Sequence, residues 1–170
     1  MERMQEMIDH IKASIEDAVN NRKQLWNQLD ATEAKTEIQT FLEGLDNRNG
    51  NLVLTYLKSS YITGSHSFKI AIYEDEPFTQ LYPPHAYLNM KALFLNGEKE
   101  LDVFTKQLKQ KFTRIMDSEL EEIRRYYLEL LYIASIAFFQ RIFSELQQQI
   151  ELPPIFFGAE LSEVTLIGGI

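Results

Sequence analysis

Residues 52–74 read LVLTYLKSSYITGSHSFKIAIYE, and this stretch decides the fold class. It is rich in aliphatic, Tyr and Thr side chains, the composition of strands. Gly64 and Ser65 form a permitted two-residue hairpin turn of the II′ kind, with Gly first. Folding there makes strands of 52–63 and 66–74 and pairs Tyr61 with Phe68, Ser59 with Ile70 and Leu57 with Ile72. Those side chains share one face. Lys58, Ser60 and Lys69 share the other with Tyr56 and Tyr73, and a slip by one residue would invert the split. Pro77 ends the second strand. Beyond the loop Leu81, Tyr82, Pro83, Pro84 and His85, residues 86–95 alternate again. Leu88, Met90, Ala92 and Phe94 fall on one side, which predicts a third strand, with a helix as the competing reading. Asn96 and Gly97 turn out of it.

Helices flank this centre. Met4, Ile8, Ile11, Ile15, Ala18, Arg22, Leu25 and Leu29 follow alternating spacings of four and three, the repeat of a helix packed lengthwise on another. Arg22 interrupts the stripe; it either reaches out to solvent or meets an acidic partner that sets register. Asp30 and Glu33 suggest a capping box for a helix over 31–45, with Ile38, Phe41, Leu42 and Leu45 inward. Residues 98–116 form an amphipathic helix through Leu101, Phe104, Leu108, Phe112 and Ile115. Ser118 and Glu121 restart a helix that runs to about 150, where Pro153 and Pro154 stop it. At 1.5 Å per residue it would be about 48 Å long, against a diameter of about 40 Å for a domain of this size. It must therefore kink, overhang or be covered by another chain. The expectation is one α+β domain over 1–170: helical 1–45, a three-stranded antiparallel sheet (hairpin plus one strand) over 51–95, helical 98–150, and a tail over 151–170.

Composition narrows the function. The chain has 170 residues, 45% hydrophobic and 25% charged, with a formal charge of −8 and no cysteine. Disulfides, iron–sulfur clusters and thiolate zinc sites are excluded. The acidic balance disfavours nucleic acid, although Lys106, Lys109, Lys111 and Arg114 make a local basic face, and Lys58 and Lys69 another. The most apolar window, 130–139, is half the roughly twenty residues a membrane helix needs. No export signal is legible, which places the protein in the cytoplasm. Nucleophile elbows and phosphate-binding glycine loops are missing. His66 and His85 with Glu74, Asp75 and Glu76 could make a metal or acid–base site, but the spacing lacks the HxxxH or ExxH pattern of metal helices. No cofactor, metal or catalytic residue is expected.

What remains points to contact with another protein. Tyr82, Tyr87, Phe156 and Phe157 sit in or beside proline-stiffened loops, where aromatics serve as interface anchors. Phe139, Ile142, Phe143 and Leu146 lie near the end of the over-long helix, beyond the reach of the other helices. They should meet residues 155–157, a second copy or an unlike subunit. The expected function is a non-enzymatic interaction module, a subunit or adaptor. An acidic inhibitor of another protein and a binder of a small apolar ligand are the alternatives.

Overall fold

The computed structural model describes residues 2–95 and 97–169, with Tyr61 and Ile62 in backbone only. Its elements are α1 (Glu2–Gln28), α2 (Thr32–Glu43), β1 (Asn51–Tyr56), a single helical turn α3 (Ser60–Thr63), β2 (Ser67–Tyr73) and β3 (His85–Asn89). After a 3-10 turn over Lys91–Phe94 come α4 (Gly97–Lys111), α5 (Asp117–Ala134), α6 (Ile136–Gln147), β4 (Ile155–Ala159) and β5 (Val164–Gly168). The fold class is α+β. The sheet has five strands in the order β3-β2-β1-β4-β5, mixed because β1 and β4 run parallel.

β1 is the central strand, and residues 52–56 are buried on both sheet faces. Toward the helices, Leu52, Leu54 and Tyr56 join Phe68, Ile70, Leu88, Ile155 and Phe157 in the main core. Aromatic rings fill the space above them: Phe68 lies 4.9 Å from Phe139 and 5.4 Å from Tyr132, and Tyr56 stacks on Tyr132 at 4.8 Å. On the other face a smaller cluster of Val53, Ala71 and Tyr73 is backed by Phe78, Phe156 and Val164.

The antiparallel pairing of β1 with β2 is as expected, and so is the buried face of β2 through Phe68, Ile70 and Ile72. The turn and register differ. Ile72 faces Leu52, not Leu57, and Ile70 faces Leu54, not Ser59. Gly64 adopts φ 63° and ψ 19° and donates its N–H to the Ser60 carbonyl at 2.9 Å. That is the left-handed end of a helical turn; a II′ turn would need ψ near about −120° at its first position. The Thr63 hydroxyl, bonded to the Ser59 carbonyl at 3.3 Å, favours the helical turn. The expected burial of Tyr61 lies outside the described side chains.

Other sequence-based boundaries shift for local reasons. The third strand ends at Asn89, whose Oδ1 accepts the Lys91 N–H at 3.1 Å and bends the chain. Ala92 is exposed, so the alternation fails beyond Met90. The turn expected at 96–97 falls partly outside the described residues. The 98–116 helix stops at Lys111, and α5 is capped two residues earlier than expected. There the Glu119 carboxylate accepts the Met116 N–H at 2.8 Å and Arg3 Nε at 2.6 Å. Its partners hold the Glu119 carboxyl below the usual range, the Arg3 hydrogen bond first. The Asp30–Glu33 box does not form. Instead Asp30 accepts from Thr32 N–H at 2.9 Å and from its hydroxyl at 2.6 Å.

The long helix kinks. Buried Ser135 separates α5 from α6, its hydroxyl bonded to the Tyr132 carbonyl at 2.6 Å. α6 then lies on the sheet beside β5.

On α1, burial falls on Met7, Ile11, Ile15, Arg22 and Trp26, while Leu25 is 61% exposed. Arg22 meets an acidic partner: its guanidinium pairs with Glu100 at 2.8 Å and also donates to the Leu95 carbonyl. Trp26 Nε1 donates to the Leu93 carbonyl at 2.9 Å, and the Tyr127 hydroxyl donates to Glu100. Burial, then that hydrogen bond, pushes the Tyr127 phenol well above its ordinary range.

Candidate functional site

The segment that leads into and forms β3 groups three exposed apolar side chains. Leu81 is 82%, Tyr82 85% and Tyr87 58% exposed. The loop is stiffened where it enters the strand, since Pro83 is buried and its carbonyl faces His85 Nδ1 at 3.1 Å. β3 is an edge strand, and its hydrogen bonding to β2 has a definite parity. Ile72 N–H reaches the Pro84 carbonyl at 3.1 Å, and Met90 N–H reaches the His66 carbonyl at 3.1 Å. Even-numbered residues thus bond to β2. The peptide groups of His85, Tyr87 and Asn89 point to the open edge.

Helix α2 flanks this edge. Ala34, Ile38 and Leu42 anchor it in the core. A neighbouring stripe, Glu33, Glu37 and Phe41, recurs every four residues and therefore shares one face. With Ala86, Tyr87 and Leu88 it encloses a cleft of about 500 Å³. Glu37 Oε2 is buried there without a hydrogen-bond partner among the described residues. Burial first, and Glu33 second, raise the Glu37 carboxyl above its usual range. Lys35, between them in sequence but on another face of α2, is engaged by Glu145 at 2.5 Å.

The residues singled out in the sequence divide cleanly. Tyr82 and Tyr87 are at this edge. Phe139, Ile142, Phe143, Leu146 and Phe157 are core residues, and Phe156 is half-buried in the small outer cluster. Of the covers expected for 139–146, residues 155–157 supply one within the chain: β4 and β5 lie against α6, with Phe139 and Phe157 at 6.1 Å. Sequence reasoning missed Leu81, Glu33 and Glu37. Only the four-residue spacing of the α2 stripe could have signalled the two acids.

The structure does not bring the histidines together. His66 precedes β2, whereas His85 pairs beside Ala71 near the strand's other end. Among the described residues no three His, Asp or Glu side chains gather as a metal site, and no helix is long and apolar enough to cross a membrane. His66 stacks on Phe94 at 4.3 Å, and its Nδ1 lies 3.2 Å from the Tyr132 hydroxyl. Burial, then Arg124 and Lys91, lowers the imidazole to about 4, and burial raises the Tyr132 phenol to about 12. An imidazole that stays neutral in the fold but titrates near 6.5 when unfolded supports stability fully above that pH. The support is lost as pH falls toward about 4. Discounted for partial exposure, the loss is roughly 1–2 kcal/mol. Urea titrations at pH 7.5 and 4.5 should show that drop in the wild type and a smaller one in His66→Gln. Equal drops would assign the acid sensitivity elsewhere.

A second cleft, about 540 Å³, lies between α1 and the α5–α6 junction and is apolar through Val19, Leu130, Ile133, Ile136 and Ala137. The space between sheet and helices, where the alternative reading would place a small apolar ligand, is filled by packed aromatics such as Phe68, Tyr132 and Phe139.

Fold and site together define a class: an α+β protein whose helices cover one face of a mixed sheet and whose β3 edge lies open beside an acidic helix. Compared with family models, curated proteins and solved structures, the chain matches none significantly.

Proposed function

We propose that this protein is a non-enzymatic interaction module whose docking surface is the 81–89 segment. The observation that carries the reading is the projection of Leu81, Tyr82 and Tyr87 from a proline-stiffened edge. Large, pre-positioned aromatics contribute most of the energy in protein interfaces, and a stiff loop reduces the entropy cost of docking. The net charge of −8 favours a basic partner and steers its approach. An inhibitor that masks a basic surface is one form of this function. Self-association through α6 loses its motive, because that face is core.

A photo-crosslinking residue tests the proposal. Placed at Tyr82, it should capture a discrete partner from a lysate of the native host. Placed at Leu161, equally exposed on the distant β4–β5 turn, it should not. Tyr87→Ala should weaken the recovered complex by about tenfold or more. Equal capture at both positions, or none at either, would overturn the docking surface.

A further inference from the structure

We infer that the β3 edge takes up an extended basic segment of a partner protein as a sixth strand. This rests on the interaction reading above and adds the mode of binding and the chemistry of the partner. Three observations converge. The N–H and C=O groups of His85, Tyr87 and Asn89 face outward, as the even-numbered ladder to β2 requires. A strand can add there through main-chain hydrogen bonds, with alternate side chains read by a flanking groove. The groove exists: α2 stands beside the edge, and Phe41, Ala86 and Leu88 give it an apolar floor. Its wall is acidic through Glu33 and Glu37, with no basic residue in the lining.

Glu37 supplies the specificity. Its side chain is half-buried in the lining and its Oε2 has no donor among the described residues, so an Arg or Lys from an incoming strand can pair with it. Side chains of an added strand alternate between the α2 side and the outer face beside Tyr87. The segment recognised is therefore one with basic residues at alternate positions. The opposite edge is less suited. β5 pairs with β4 through a register irregularity at Ile155–Phe156, and Gln140 Nε2 approaches the Ile167 carbonyl at 3.5 Å.

The probe is a labelled ten-residue peptide of alternating Arg and Val, read by fluorescence anisotropy and by amide exchange of the full chain. Binding should slow exchange at Tyr87 and Asn89 by tenfold or more and leave Phe68 and Ile70 unchanged. A peptide of the same charge, N-methylated on the amides of one alternating set, should lose about tenfold for one set and little for the other. A merely electrostatic complex would not distinguish them. Glu33→Gln with Glu37→Gln should weaken binding by about tenfold. Tyr87→Pro removes an outward N–H as well as the ring, so it should weaken binding by a further tenfold or more beyond Tyr87→Ala, with the β2 ladder intact. Insensitivity to both N-methyl sets, or protection at the edge that rises with protein concentration in the absence of peptide, would overturn strand addition. If the peptide fails while crosslinking at Tyr82 persists, the interaction reading stands and only this mode falls.

Discussion

Replacing Arg22 with Ala should cost about 2–4 kcal/mol, somewhat below the range for a fully buried ion pair because the Glu100 side chain is a quarter exposed. In a chain of this length that lowers Tm by about 10 °C. Arg22 is almost fully buried on α1, and its guanidinium spans Glu100 of α4 and the carbonyls that follow β3. The variant leaves the Glu100 carboxylate without its cation and keeps only the Tyr127 hydroxyl as donor. It also leaves the Leu95 carbonyl without that donor. Replacing Arg22 and Glu100 together by Leu should recover part of the loss, because the uncompensated charge is removed with its partner. A cost below about 1 kcal/mol for Arg22→Ala would show that the pair is solvated in solution. The pair also bears on the candidate site. Arg22 and Trp26 hold the 3-10 turn that terminates β3, so they fix where the open edge ends.

Much of this architecture is legible in the sequence wherever a pattern runs long enough to repeat. The amphipathic α4, the alternation of Phe68, Ile70 and Ile72, and the middle of the α1 stripe through Ile11, Ile15 and Arg22 are read correctly because burial enforces their periods, whereas at the ends of α1 burial shifts to Met7 and Trp26 and leaves Leu25 exposed. The reading fails where one residue has two uses. Gly64 suits both a II′ turn and the left-handed end of a helical turn, and the choice moved the register of β1. It also fails where a pairing is both short and remote. Residues 155–159 make a five-residue strand whose parallel partner, β1, lies far upstream in the chain. With β4 unseen, Phe139, Ile142, Phe143 and Leu146 looked short of a cover and suggested an interface. At the site, Tyr82 and Tyr87 were visible as aromatics beside prolines. Glu37 was not singled out: the four-residue spacing of Glu33, Glu37 and Phe41 places them on one face, but that this face lies beside β3 is a tertiary fact.

Gly50→Ala should be the second severe substitution, and its contrast with Gly64→Ala isolates the cause. Both glycines lie at positive φ, 131° and 63°. At Gly64 an added Cβ meets nothing within 4 Å, so the cost is backbone strain alone, about 1 kcal/mol. At Gly50 the added Cβ would overlap the Tyr73 carbonyl oxygen, and would sit 2.9 Å from that carbonyl's carbon and 3.1 Å from Glu74 Cα. These are backbone atoms and cannot swing aside as a side chain end could. Relief requires parting β1 from β2 where Asn51 faces Tyr73, at the entry to the central strand. Strain of about 1–3 kcal/mol for the conformation is then joined by weakened ladder hydrogen bonds, for a total of at least about 3 kcal/mol. Denaturant midpoints of the two variants measure the difference directly. Equal losses would mean that the chain before β1 yields without disturbing the pair. A loss several times larger at Gly50 would locate the close approach of β1 and β2 that keeps β2, and the β3 edge built on it, in register.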